Sequence, residues 1–290
     1  MEIRLLDVPV DGGELRVLQW GTGRRVAVAV HGITASAMSW QAVARQMPPG
    51  WTLAAPDLRG RGFSADLPSP YGLERHAADV TAVLRHFGGR PVLAGHSMGA
   101  YVALLTRDAH PNLSRRLVLV DGGLPLPVPD GVDPEVALEA AIGPAIARLR
   151  QTFPSTEAYL DFWRGHPALR DSWGPAVEAY LAYDLVGEPP HLRSSVSIDA
   201  VRDDSADMLA GDDVARRPQA LPAGTVFLRA PAGLLAEPGG LYPPELAAAH
   251  AVKYPHLEVR EVPDVNHYTV LLGHPGAEVV ARTLEEVARR

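Results

Sequence analysis

The sequence predicts an α/β protein with a doubly wound, mostly parallel eight-stranded sheet and a helical insertion. Eight short runs rich in aliphatic and β-branched residues recur along the 290-residue chain, and turn residues close each run. The middle runs are almost continuously apolar, which is typical of parallel strands covered on both faces. Stretches with helical spacing separate the runs, and this alternation favours right-handed crossovers between parallel strands.

The predicted elements follow one another in a regular order. The strand runs are EIRLLDVP (2–9), LRVLQWG (15–21), RVAVAVHG (25–32), WTLAAPDLRG (51–60), PVLAGHS (91–97), RLVLVDGG (116–123), TVFLRAP (225–231) and LEVREVPDV (257–265). Apolar residues recur at helical spacing in four further stretches, which predicts helices at 37–47, 73–87, 98–109 and 276–290.

Residues 124–220 interrupt this alternation. The segment opens with the proline-rich LPLPVPDGVDP, and helix-like stretches with several aromatic residues follow, with no convincing strand before Thr225. We therefore expect a core formed by residues 1–123 and 221–290, and a helical cap formed by 124–220. The cap should lie over the carboxyl edge of the sheet, where open α/β sheets bind their ligands. Most of its aromatic residues should form its own core, while Trp163 should contact the substrate. The acidic runs VRDDSAD and GDD (201–213) should form a solvated, charged connector rather than a set of metal ligands.

Composition narrows the class of protein. The chain is 47% hydrophobic and 21% charged, and no segment approaches the roughly 18 consecutive apolar residues of a membrane span. The N-terminus lacks the pattern of a signal peptide, and the absence of cysteine excludes disulfides, thiolate catalysis and Cys-ligated zinc. These features favour a cytoplasmic location. The net charge of −7 disfavours nucleic acid as a partner, so a small-molecule substrate is expected. Oligomeric state has no signature in the sequence.

Ser97 lies between two glycines in GHSMG (95–99), directly after a buried strand and directly before a helix. This is the G-x-S-x-G elbow in its strand–turn–helix context, which holds a serine hydroxyl out at the top of a sheet. A turn this sharp brings the backbone against its neighbours, where a Cβ at either glycine would clash. The context favours Ser97 as a nucleophile over a structural turn.

An alcohol is a weak nucleophile at neutral pH, so Ser97 needs a neighbouring base. His267 directly follows the last predicted strand and is the favoured base among eleven histidines. His274 is its nearest competitor, but it lies past a helical turn and next to a proline. His96, inside the elbow, should face the pocket and contact the substrate, and His31 should brace its own loop.

Four stretches give the chain its resemblance to a known family: VAVAVHGITASAMSW (26–40), PDLRGRGFSAD (56–66), GHSMGA (95–100) and PDVNHYTVLLGHP (263–275). With these, the chain resembles the α/β-hydrolase fold family, in its serine hydrolase and esterase-like branch, along nearly its whole length. The resemblance implies that the backbone amides of Ile33 and Met98 form an oxyanion hole. It implies no metal and no organic cofactor, because the chemistry is acid–base and electrostatic.

The resemblance also implies a catalytic triad, in which an acid orients the histidine base. That acid is missing from its usual place. Most relatives carry an aspartate just after the seventh strand, and that slot falls near Gly233, where no carboxylate stands. Glu237 is the only acid in that loop. Asp121 ends the sixth strand, where some branches of the family place the acid. Asp121 is favoured, with Glu237 and the absence of a functional acid as open alternatives.

The sequence therefore predicts a serine hydrolase that cleaves a carboxylic ester, lactone or thioester of a small, moderately apolar substrate through an acyl-enzyme. Ser97 would be the nucleophile, His267 the base, and Asp121 its orienting acid. Carbon–carbon bond hydrolysis, amide cleavage and cofactor-free perhydrolysis use the same residues and stay open. A non-catalytic small-molecule receptor is the alternative from another class, and the missing acid is its best argument.

Overall fold

The computed structural model describes residues 2–126, 143, 146–209 and 221–290. All eight predicted strands lie in one sheet. They are β1 (Ile3–Val10), β2 (Gly13–Trp20), β3 (Arg25–Val30), β4 (Trp51–Pro56), β5 (Val92–His96), β6 (Arg116–Val120), β9 (Thr225–Arg229) and β10 (Leu257–Glu261).

The strand order across the sheet is β1-β2-β4-β3-β5-β6-β9-β10. Strand β2 runs antiparallel to both of its neighbours, while every pair from β4 to β10 is parallel. The predicted fold class is therefore confirmed. Because parallel strands end at the same edge, the residues that follow β3, β5 and β6 meet there, and these include Gly32, Ser97 and Asp121.

Helices cover both faces of the sheet. They are α1 (Gln41–Gln46), α2 (Leu73–Phe87), α3 (Met98–Ala109), α7 (Pro244–Lys253), α8 (Thr269–Leu272) and α9 (His274–Arg289). Successive strand side chains pack into two different apolar clusters. In β3, for example, Ala27 and Ala29 join the cluster that contains α1 and α9, while Val28 and Val30 join the cluster that contains α2 and α3. Burial on both faces explains why the central strands read as continuous apolar runs.

Between β6 and β9 lies the insertion, by which we mean residues 124–220. Its described part contains α4 (Thr156–Arg164), α5 (Pro175–Tyr183) and α6 (Ile198–Leu209), with two short paired strands, β7 (Leu185–Val186) and β8 (Arg193–Ser194). The expectation that no strand precedes Thr225 was wrong, because a two-residue pair leaves no periodic pattern. Residues 127–142, 144–145 and 210–220 of the predicted cap lie outside the described residues, and the division into core and cap stays a prediction.

Residues 211–213 of the expected solvated connector lie outside the described residues, and for 201–207 the expectation was also wrong. These residues belong to α6, and Asp204 is completely buried. Its carboxylate accepts hydrogen bonds from the backbone N–H of Gly72 (2.7 Å) and from His76 Nε2 (3.0 Å). Composition alone does not show which charged residues of a helix are buried and which are solvated, since burial depends on partners from distant parts of the chain.

In the part of the chain that the structure describes, no helix is both long enough and apolar enough to cross a membrane.

Helix α3 lies directly against the end of β3, and this contact leaves no room for a side chain at Gly99. A Cβ at Gly99 would stand 2.3 Å from the carbonyl oxygen of Val30. We expect Gly99→Ala to lower the free energy of unfolding by about 3 kcal/mol, because the backbone must move to relieve the overlap. Urea denaturation measures the loss. Gly174→Ala is the control, because nothing lies within 4 Å of its Cβ position; equal losses in the two variants would contradict the prediction.

Candidate active site

Ser97 occupies the sharp turn between β5 and α3. Its backbone adopts φ 53° and ψ −125°, a combination that non-glycine residues rarely adopt. The turn is held because the Ser97 N–H donates to the carbonyl oxygen of Val120, 3.0 Å away at the end of β6. Strain of this kind persists only where the surrounding structure imposes it, and it concentrates at functional sites.

His267 and Asp121 form a buried hydrogen-bonded pair. The distance from His267 Nδ1 to Asp121 Oδ2 is 2.7 Å, and both side chains are at least 95% buried. A carboxylate only accepts hydrogen bonds, so Nδ1 carries the proton, and in the neutral ring Nε2 keeps a free lone pair. His267 and Ser97 line the same cavity.

The Asp121 carboxylate is fixed from the opposite side as well. Its Oδ1 accepts a hydrogen bond from the backbone N–H of Ala230 (3.0 Å), and its own N–H donates to the carbonyl oxygen of Leu228 (2.7 Å). Glu237 is exposed instead, and its carboxylate accepts from the N–H of Leu235 (2.8 Å). Of the two candidate acids, the structure brings Asp121 to His267.

The side chain of His96 holds the backbone of His267. His96 Nε2 donates to the carbonyl oxygen of His267 (2.9 Å), and the two rings lie 4.6 Å apart. Burial, with the nearby His267, holds the pKa of His96 well below its usual value, so this ring stays neutral. His96 lines the cavity as expected, yet its hydrogen bond serves His267. His274, the competing base, is exposed at the start of α9.

Asn266 was missed at the sequence level. Its Oδ1 accepts from the N–H groups of Tyr268 and Thr269 (2.9 Å each), and its Nδ2 donates to the carbonyl oxygen of Ala168 in the insertion (2.8 Å). An Asn two or three residues before a helical turn is a capping signal that could have identified it.

The turn at residues 32–35 presents the Ile33 amide. The Gly32 carbonyl oxygen accepts hydrogen bonds from His31 Nδ1 (2.8 Å) and from the N–H of Ala35 (3.2 Å). Because a trans peptide is planar, fixing this carbonyl also fixes the Ile33 N–H on the opposite side. His31 Nε2 accepts from the N–H of Leu58 (3.0 Å), and burial lowers the pKa of His31 to about 3. His31 therefore braces the turn as a neutral ring.

The N–H of Met98 lies in the first turn of α3, where backbone donors have no partner inside the helix. Met98 and Ile33 both line the cavity beside Ser97. Unpaired amides and the dipole at a helix N-terminus favour a negative charge nearby.

The cavity has a volume of about 130 Å³ and mostly apolar walls. Its apolar lining includes Leu126, Met208, Leu234, Leu235, Leu241, Leu271 and Leu272. Polar aromatic side chains also line it, among them His166 and Tyr180 from the insertion and Tyr268 next to His267. Trp163, which was expected to contact substrate, lies behind this wall. Its ring packs against those of His166 (5.2 Å) and Tyr268 (6.3 Å).

The described lining residues carry no lysine or arginine, and their one acid, Asp121, is paired with His267. Burial lowers the pKa of His166, an effect that the charge of Arg148 reinforces, and burial raises the pKa of Tyr180 and Tyr268. These three groups are therefore neutral near pH 7. Among the described residues, no three His, Cys, Asp or Glu side chains cluster in a way that could hold a metal ion.

Comparison with known proteins agrees with this architecture. Residues 27–282 match the family model described as "Alpha/beta hydrolase family". The chain belongs to the alpha/beta hydrolase family. The sequence-level resemblance is thus confirmed, and with it the prediction of an enzyme.

This alpha/beta hydrolase is similar in sequence to lipase LipV of Mycobacterium tuberculosis, with 31% identity over 65% of the chain and 79% of the relative. It is 36% identical to N-formylmaleamate deformylase of Pseudomonas putida, over 40% of the chain and 44% of that protein. Its fold resembles that of E-2-(acetamidomethylene)succinate hydrolase over the full length of both chains, with a TM-score of 0.82 and 21% identity. The thioesterase domain from the curacin biosynthetic pathway matches 98% of the chain and 100% of the domain, with a TM-score of 0.75 and 17% identity.

The buried His96 of this alpha/beta hydrolase should make its stability depend on pH. The pKa of His96 is about 6.5 in the unfolded chain and far lower in the folded protein, so below pH 6.5 the unfolded chain binds the proton. Stability is therefore present above pH 6.5 and is lost as the pH falls. Between pH 6.5 and pH 5 one such histidine accounts for about 2 kcal/mol.

We expect the loss of unfolding free energy between pH 7 and pH 5 to be about 2 kcal/mol smaller in His96→Gln than in the unsubstituted protein. Glutamine keeps a donor near the His267 carbonyl but does not titrate. Urea denaturation at the two pH values measures the difference. The exposed His256→Gln is the control; a loss in His96→Gln as large as in this control would contradict the assignment.

Proposed function

We propose that this alpha/beta hydrolase is a serine hydrolase that cleaves a carboxylic ester, thioester or lactone through an acyl-enzyme. The observation that carries the proposal is the 2.7 Å hydrogen bond between His267 and Asp121, in a cavity that also exposes Ser97. A base oriented by a buried carboxylate beside a serine on a strained turn is the arrangement that activates a hydroxyl for acyl transfer.

In the first half-reaction the Ser97 Oγ attacks the acyl carbon, and its proton moves to His267 Nε2. The carbonyl π electrons move to oxygen, and this oxyanion accepts hydrogen bonds from the N–H groups of Ile33 and Met98. The imidazolium is stabilised by the Asp121 carboxylate. When the tetrahedral intermediate collapses, the bond to the leaving oxygen or sulfur breaks, and His267 returns its proton to that atom.

In the second half-reaction a water molecule replaces the serine as nucleophile. The water oxygen bonds to the acyl carbon of the ester on Ser97, while His267 takes a proton from the water. Collapse of the second intermediate breaks the bond between that carbon and Ser97 Oγ, the proton returns to Ser97, and the carboxylic acid leaves. No external electron acceptor or donor enters this sequence.

The cavity supports a small, uncharged acyl group. An apolar protein cavity of roughly 150 Å³ holds one benzene molecule, so about 130 Å³ suits a short or medium acyl chain. A carboxylate in this aliphatic cavity would lose its hydration without gaining a cation among the described residues. We propose that the insertion acts as a cap over the site, since it supplies His166 and Tyr180 to the cavity wall.

Amide cleavage is a second candidate, favoured by the similarity to N-formylmaleamate deformylase. It would use the same residues, with His267 protonating a leaving nitrogen. The receptor alternative has lost its main argument, because a carboxylate does contact His267.

Replacement of the acid tests the proposed triad. We expect Asp121→Asn to fold and to lower kcat for short-chain p-nitrophenyl esters by roughly 10⁴-fold, because the amide cannot stabilise the imidazolium and favours the wrong tautomer. Glu237→Gln, the matched control in the neighbouring loop, should keep kcat within about twofold, because the Glu237 carboxylate binds the N–H of Leu235 and neither contacts His267 nor lines the cavity. A fluorophosphonate probe should label the unsubstituted protein and fail to label Ser97→Ala. Normal turnover in Asp121→Asn, with collapse in Glu237→Gln, would reverse the assignment.

Because the described cavity lining contains no lysine or arginine, we predict that the enzyme discriminates between substrates by charge. We expect kcat/KM for monomethyl adipate to be at least about 100-fold below that for methyl hexanoate, because only the former places a carboxylate at the end of the chain. Titration of the released acid at constant pH measures both rates. Dimethyl adipate controls for polarity without charge and should be hydrolysed at a rate close to that of methyl hexanoate. Equal rates for the two monoesters would show that the cavity accepts anions.

A further inference from the structure

Two arginines hold the 32–35 turn through its backbone carbonyls. Arg61 Nε donates to the carbonyl oxygen of Ile33 at 3.0 Å, and Arg148 Nη2 donates to that of Thr34 at 3.1 Å. These carbonyls belong to the two peptide planes that follow the amide of Ile33. Together with the Gly32 carbonyl, which His31 holds, they leave the turn little freedom to rotate the Ile33 N–H.

Both arginines are buried, and each is paired with a buried aspartate. Arg61 Nη2 lies 2.5 Å from Asp204 Oδ2, and neither side chain is exposed. Arg148 Nη1 lies 2.5 Å from Asp184 Oδ2, with side-chain exposures of 2% and 7%. A guanidinium buried without an anion would be strongly destabilising, so each arginine keeps its position only while its aspartate is present.

Both aspartates come from the insertion. Asp204 lies in α6, and Asp184 directly follows α5. Each is itself anchored: Asp204 by the N–H of Gly72 (2.7 Å), and Asp184 by Ser194 Oγ (2.9 Å). A continuous path of charge-assisted contacts therefore leads from the insertion to the amide beside Ser97.

We propose that Arg61 and Arg148 are positioning residues that fix the Ile33 amide for oxyanion binding, and that the insertion completes the active site by supplying Arg148 itself and the two aspartates, Asp204 and Asp184. The inference rests on the proposed function. It assigns the insertion a part in the chemical step in addition to any part in enclosing the substrate. Neither arginine lines the cavity, so their effect on the reaction passes through the turn.

Lysine substitutions separate positioning from simple stabilisation. Arg61→Lys keeps a positive charge for Asp204, but a single nitrogen cannot also reproduce the fork that holds the Ile33 carbonyl. Arg148→Lys makes the same change at Thr34. We expect each variant to lower kcat for p-nitrophenyl hexanoate by roughly 10- to 100-fold with KM within about twofold, because a small displacement of an oxyanion donor acts on the transition state.

A transition-state analogue provides the second readout. A trifluoromethyl ketone forms a hemiketal oxyanion with an active-site serine, whereas the matching trifluoromethyl alcohol does not. The inhibition constant of the ketone should rise by the same factor as kcat falls, and that of the alcohol should not change. Asp207→Asn is the matched control, because Asp207 holds the N–H of Leu73 (2.8 Å) from the same helix and pairs with no arginine among the described residues.

The outcomes are distinct. Unchanged kcat and ketone inhibition in a folded Arg61→Lys or Arg148→Lys would overturn the proposal, and so would an equal loss in Asp207→Asn. Either arginine variant suffices if the other fails to fold; if both fail while Asp207→Asn folds normally, the pairs are structural supports and the proposal falls. Failure of the proposed function itself would differ, because the unsubstituted protein would then not react with the fluorophosphonate probe.

Discussion

Close backbone contact around Ser97 is the constraint on which the rest of the site depends. The turn between β5 and α3 is so tightly enclosed that a Cβ at Gly99 would overlap the carbonyl of Val30, and a Cβ at Gly122 would stand 2.3 Å from the carbonyl of Ser97. These contacts impose the strained backbone of Ser97. They also fix the ends of β3, β5 and β6 relative to one another, since the three strands touch through main-chain atoms rather than through adaptable side chains.

This closeness explains why an acid after β6 can serve a base that arrives after β10. Asp121 follows β6 directly, and its N–H and Oδ1 bind backbone atoms of Leu228 and Ala230, at the end of and just after β9. The carboxylate is thus held between two parallel strands at the edge where His267 enters. At the usual position of the acid, after β9, the chain has Gly233, and the carboxylate of Glu237 folds back over that glycine, close enough to clash with any Cβ placed there.

The sequence could predict what local patterns and strand ends determine. The apolar runs identified all eight strands. Parallel topology then predicts that Ser97, Asp121 and His267 lie at the same edge of the sheet. It could not predict contacts that depend on how the insertion folds over that edge. Nothing near Arg148 in the sequence indicates that it binds the carbonyl of Thr34, 114 positions away, or that Asp204 is buried. Trp163 was assigned to the cavity on aromatic character alone, although a large aromatic ring in a helical insertion fits equally well one layer behind the wall.

The three buried imidazoles near this edge show how partners decide the chemistry of identical groups. Within the described residues, His31 and His96 hydrogen-bond only to backbone atoms, and burial lowers the pKa of both, so each is kept neutral and suited to bracing. His267 alone among the three contacts a carboxylate, so it alone has a counter-charge when it takes a proton. The two buried arginine–aspartate pairs lie outside the cavity, and within each pair the two charges compensate one another. Apart from the Asp121 carboxylate, the described cavity lining is therefore uncharged at rest, and the charge that develops during acyl transfer would meet donors and a counter-ion that are already in place.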